Sequence, residues 1–198
     1  MRLAPYNPFI GQHIKNNAGG SDDHGFVAHY TIAAADAVAA GAATILASTV
    51  LVAAPATILP AAMAAQPPTP RVLSITGNAA TVAGNVVING TDASGAVLVD
   101  TIAANGAATV LGAKAFATVT QIVLPVAVHP ADGISVGISD RFGIPYMLPH
   151  NTVLLILNNA VVTTVAAGSS FSATVLADNF IDPTAALAAA QVDVYLIV

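Results

Sequence analysis

The sequence has no cysteine, no tryptophan and no glutamate. Without cysteine there is neither a disulfide staple nor a thiolate ligand for a metal. Without tryptophan the aromatic belt of a membrane protein is missing. Charge is also scarce. All ten acidic residues are aspartate and only five lysines and arginines accompany them, so charged side chains make up 8% of the chain, where a globular domain ordinarily carries about 25%. A net charge of −5 leaves no basic patch able to neutralise a run of phosphates, so no nucleic-acid partner is expected.

What is present is apolar. Hydrophobic residues make up 56% of the 198, the reverse of a disordered composition and enough to build a core. A monomer would leave much of that surface facing water, so association with copies or partners is expected. The uncharged stretch between Asp36 and Arg71 is long enough for the roughly 20 residues of a spanning helix. However, residues 37–65 are Ala, Thr, Val and Gly more than Leu or Phe. Pro55 and Pro60 would also break a helix, and no basic cluster flanks it. The sequence therefore predicts no membrane span. It predicts no secretory signal either, because Pro5, Asn7 and Pro8 follow Arg2 where an apolar run should begin.

The periodicity is that of strands. Residues 1–25 read as an irregular, extended N-terminal arm with Tyr6, Phe9 and Ile10 as apolar anchors, either docked on a neighbouring subunit or a frayed terminus. Residues 26–66 form an Ala/Val-rich β segment, expected to make inter-subunit contacts, in which 33–43 has helix propensity. QPPTP at 66–70 cannot join a ladder and leads into a central β module, 67–148. There Arg71–Thr76, Gly84–Thr91 and Ala96–Ala103 alternate, Asp92-Ala93-Ser94-Gly95 makes a polar turn, and Asn105-Gly106 is a hairpin signal. Asp100 shares a face with Leu98 and Ile102, so that face is expected to be partly buried. Residues 149–198 pack on the same body, with a turn at Asn158-Asn159, a strand at Phe171–Leu176, an Ala-rich 183–191 able to form a helical turn, and a closing strand VDVYLIV. The fold class is all-β: a β-sandwich or barrel-like body of ten to thirteen short antiparallel strands.

The sequence offers little chemistry. Asp22, Asp23, His24 and His29 are the one dense group of possible metal ligands, but their spacing matches no established motif and a solvated loop explains them. His129 and His150 each sit beside a proline, as loop residues do. Asp140-Arg141 reads either as an ion pair fixing the following loop or, with Tyr146, as a subunit contact of the kind Arg and Tyr anchor. No nucleophile elbow or P-loop occurs, and Gly168-Ser169-Ser170 lacks the lysine of a phosphate cradle. The sequon Asn89-Gly90-Thr91 is explained by its hairpin. No catalytic residue, cofactor or metal is expected, and the protein reads as a non-enzyme.

The stretch Pro70–Pro125 resembles a module of tailed-bacteriophage virion proteins. The matching features are Pro-Arg before a strand, a GNVVINGTD-SG hairpin, DTIA-NG, then Gly112, Lys114 and Phe116, and a TVT-I-LP strand. The likeness continues through Ile134–Gly137 and DRFGIPYML, and resumes at VDVYLIV. Residues 1–66 share none of it. The resemblance implies a structural component of the virion, most like a capsid decoration or cement protein. It further implies the major capsid protein as partner, a homo-oligomer such as a trimer, and a place on the capsid surface after assembly in the host cytoplasm. The alternatives are a tail or baseplate structural protein and, from another class, a carbohydrate-binding β-sandwich module.

Overall fold

The computed structural model describes residues 25–198 and, before them, the backbone of two short strands, β1 (Ile14–Lys15) and β2 (Ser21–Asp22), which pair antiparallel. The chain then runs through β3 (Val27–Ile32), β4 (Gly41–Val50), β5 (Ala56–Ile58), β6 (Arg71–Gly77), β7 (Asn85–Thr91) and β8 (Val97–Ala103). It continues with β9 (Thr109–Phe116), β10 (Thr118–Leu124), β11 (Gly133–Gly143), β12 (Val153–Asn158), β13 (Val161–Thr163), β14 (Phe180–Ile181) and β15 (Val192–Ile197). The described residues hold no α-helix, only two 3-10 turns, at Pro60–Ala62 and Leu176–Asp178. The protein is all-β. The uncharged stretch 37–65 carries β4, β5 and the first 3-10 turn, and no helix among the described residues is long and apolar enough to cross a membrane.

The first lobe is a sandwich of two antiparallel sheets. One has the strand order β5-β10-β7-β8; in the other, β11 lies between β6 and β4, with β9 beyond β6 and β14 capping the far end of β11. Alternation explains the packing: Val86 and Ile88, Leu98 and Ile102, and Ile122 and Leu124 point inward from one sheet. Leu73 and Ile75, and Ile134, Val136 and Ile138, meet them from the other, and the adjacent Ile45 and Leu46 join them where the β4–β11 register shifts. Each such side chain contributes about 1.5–3 kcal/mol by leaving water. The turn at 92–95 is as its composition dictates. The Asp92 carboxylate accepts from Ser94 N (2.8 Å), Ser94 Oγ (2.6 Å) and Ala96 N (3.0 Å), and Gly95 takes φ +84°.

The second lobe is the sheet β13-β12-β15-β3, whose inner face carries Ile32, Ile156, Val192, Val194 and Leu196. These cover Phe142, Ile144, Leu148, Ile181 and Leu187. β11 joins the lobes, since its first half supplies the sandwich core and Phe142, near its end, the second core. β3 pairs with β15, residues 192–197, and so stands in a different sheet from β4.

Several local expectations are corrected. Asp100 is buried rather than on a half-wet face: its carboxylate accepts from Thr101 N (2.9 Å) and Ala113 N (2.8 Å), bracing β8 against β9 where the sandwich closes. Residues 33–43 form a turn and an extended run, not a helix, because tertiary pairing of β4 overrides alanine's propensity. Phe171–Leu176 is no strand and 183–191 forms no helical turn; both are held by side-chain bonds to backbone, from Asn179 and Asn158 respectively. The turn placed at Asn158-Asn159 lies one residue later. Asn158 stays in β12, opposite Val161, because its buried amide donates to Ala186 O (3.0 Å).

Candidate functional site

Of the residues singled out in the sequence, Tyr6, Phe9, Ile10, Asp23, His24 and the Asp22 side chain lie outside the described residues, as does most of the arm they belong to. Arg141 does not pair with Asp140, as one reading had it. Its Nε donates to Asp182 Oδ2 at 3.0 Å, and its guanidinium lies 6.0 Å from the Phe180 ring centroid. The β11–β6 register shifts between Ile138 and Phe142, and in that irregular stretch the two neighbours take different partners. Asp140 Oδ1 instead accepts from Ala40 N (3.1 Å) and Leu187 N (3.3 Å), tying both lobes to β11. Tyr146 is half-buried against the second core, apart from Arg141.

His29 has a partner set that the sequence hid. On the outer face of the second lobe, its Nε2 lies 2.9 Å from Asp193 Oδ1, and Thr31 Oγ1 lies 2.8 Å from that oxygen and 3.1 Å from the same Nε2. Gln191 Nε2 donates to the other carboxylate oxygen at 2.8 Å. The imidazole stacks on Tyr195, with centroids 4.4 Å apart and planes within 4°. Hydrogen bonds from Thr31 first, then from His29 and Gln191, hold the Asp193 carboxyl below the ordinary range despite some desolvation. Hydroxyl, imidazole and carboxylate together invite comparison with a nucleophilic triad, but such a relay needs one ring nitrogen for the hydroxyl and the other for the acid. Here both contact Nε2, so no proton can pass through the ring between them. Tyr195 and Asp193 stand two apart in VDVYLIV and so share a face with each other. Their pairing with His29 depends on a register over 160 residues distant in the chain.

Arg71 is the other residue that sequence reasoning passed over. It is fully buried between the lobes, with Nη2 donating to Val38 O and with Nε and Nη1 lacking a hydrogen-bond partner among the described residues. Desolvation lowers its pKa to about 10, against the opposing pull of Asp140 and Tyr30. It therefore stays charged at neutral pH, with Asp140 as the acidic group acting on it. Among the described residues, no group of three or more His or Asp side chains is placed to hold a metal ion.

The most extensive feature is a surface. The outward residues of the β5-β10-β7-β8 sheet are Thr57 on β5, Thr118, Gln121 and Val123 on β10, Asn85, Val87, Asn89 and Thr91 on β7, and Val97, Val99, Thr101 and Ala103 on β8. None is charged. Asn89 Nδ2 donates to Gln121 Oε1 (3.0 Å) and the Thr91 and Thr118 hydroxyls meet at 2.7 Å, so the polar groups satisfy one another across strands. Val97 is 87% exposed. No family model, curated protein or solved structure matches the chain. A self-satisfied, uncharged, partly apolar sheet face has little to offer a small polar substrate and suits a broad, flat contact with protein.

Proposed function

We propose that the protein is a structural component of a tailed-phage particle that decorates and stabilises the capsid. It would bind the major capsid protein as a homo-oligomer, a trimer, and bridge neighbouring capsomers. The observation that carries this reading is the uncharged outer face of the sandwich with Val97 and Val99 exposed on it. The charge-poor composition and the resemblance of Pro70–Pro125 to virion modules point the same way. A decoration protein works by adhesion, and a rigid two-lobed β body with a flat apolar-polar face meets that requirement. Closed symmetry is the usual outcome when such a face pairs copies of one chain.

An electron-microscopy reconstruction of the particle encoding this chain tests the reading. Density for the two lobes on the outer capsid surface supports it, density in the tail or baseplate moves the protein to that structure, and absence from purified particles removes it. A second reading, a carbohydrate-binding module, has one observation in its favour, the exposed His29–Tyr195 stack beside Asp193 and Gln191. The two rings cover one face of each other, which leaves a small platform. Loss of glycan-array binding in Tyr195→Ala would be needed to sustain that reading.

A further inference from the structure

A second apolar surface lies at the end of the second lobe, where the described chain begins. It is a groove of about 680 Å³ whose lining includes Gly25, Met147, Leu148, Leu154, Ile197 and Val198, with His150 as the one titratable side chain in it. Met147, Leu154 and Val198 are all exposed there. A volume in the range of about 300–1,000 Å³ is what an apolar ligand of several side chains fills. Phe26 N and O both bond to Val198 (3.0 and 2.9 Å), so the preceding residue is fixed at the groove wall. A side chain at Gly25 would collide with Ile197 Cγ2; glycine lets the chain enter against that wall.

We propose that the groove is the docking site of this chain's own N-terminal segment Tyr6–Ile10. The topology supplies the reach. Ile14 pairs with Asp22, which stands three residues before Gly25, so the β1–β2 pairing brings residue 14 beside residue 22 in space. Even at full extension, three residues and one inter-strand spacing keep Ile14 within about 15 Å of Gly25, and the four residues back to Ile10 add at most about 13 Å of reach. The chemistry matches as well. Between Arg2 and Lys15 no acidic or basic residue occurs save His13, which suits a lining free of Asp, Lys and Arg. Pro5 and Pro8 restrict the dihedrals open to this segment, which reduces the entropy lost if Tyr6, Phe9 and Ile10 are ordered. A tethered segment within reach of its site enjoys an effective concentration in the millimolar range, so docking within one chain outcompetes docking between chains.

The absence of native cysteine makes a clean test available. In the full chain, Phe9→Cys with Leu154→Cys is expected to form an intrachain disulfide about tenfold faster, or more, than Phe9→Cys with Val27→Cys. Leu154 and Val27 are 57% and 64% exposed, so neither substitution opens a core. Val27 stands two residues from Gly25 and outside the groove lining, so an unanchored segment would favour the control pair. Ile10→Cys with Met147→Cys repeats the test should the first pair impair folding. Faster closure at the groove in either pair supports the proposal. Equal rates, or disulfides formed chiefly between chains, overturn it. The experiment uses the isolated protein, and its result stands whether or not the chain belongs to a virion.

Discussion

Arg71 concentrates the unusual energetics of this protein in one side chain. A guanidinium removed from water with two nitrogens unbonded is costly, and a nearby carboxylate offsets part of that cost. Asp140→Asn is therefore expected to destabilise the protein, while the same substitution in an Arg71→Met background costs much less. The coupling should amount to about 0.5–3 kcal/mol in urea unfolding, and simple additivity would sink the assignment. Asp132 acts on stability through its proton. Thr81 Oγ1 donates to it at 2.6 Å and His129 N at 2.9 Å, and these bonds, Thr81's foremost, hold its carboxyl below the ordinary 3.8. With the folded value depressed, the unfolded chain takes up the proton first. Stability is thus complete above about pH 4 and is lost as pH falls through the folded value. Asp132→Asn should show a shallower loss of urea midpoint between pH 5 and 2.5 than the wild type; an unchanged slope would show that Asp132 does not contribute.

At the scale of strands and turns, local chemistry and tertiary demand can be separated. The 92–95 turn and the β7 and β8 strands follow from alternation and from Asp, Ser and Gly in the right order, and all were legible. The Asn105-Gly106 signal marks a tight turn, with Asn105 bridged to Ala108 and Gly106 at φ +58°, but not a hairpin: β8 pairs with β7 and β9 with β6, in different sheets. Where a distant partner decides, the sequence was mute. Asn158 looks like a turn residue until its amide is seen bonded to residue 186, and the turn that results sets both Asn159 and Ala160 at positive φ (53° and 59°). Such a two-residue turn prefers glycine at its second position, and alanine there is strained. Ala160→Gly is expected to stabilise the protein by about 0.5–1 kcal/mol, visible as a raised thermal midpoint. A fall would mean that the Ala160 methyl contributes something its backbone does not reveal. The partners of His29 were hidden for the same reason: only the β3–β15 register brings Asp193 and Tyr195 to it.

For the molecule as a whole, β11 makes the two lobes one folding unit, because one strand of eleven residues supplies side chains to both cores. Leu73→Ala in the sandwich and Leu196→Ala in the second lobe should each cost about 2–5 kcal/mol. Both should shift a single calorimetric transition; two separable transitions would show the lobes to be independent. The all-β class was legible from composition and period. The two-lobed arrangement was not, since no local signal announces that β3 joins β15 while β4, nine residues on, joins β11.

The bare Thr–Asn–Val face of the β5-β10-β7-β8 sheet also carries a kinetic consequence. The outward side chains of this face carry no charge, and Lys114, whose Nζ donates to Val99 O at 2.9 Å, stands at its edge, so the face itself steers a partner little and leaves counter-ions little to shield. Whatever rests on that face would arrive at an unassisted diffusional pace and then hold equally well in dilute buffer and in brine.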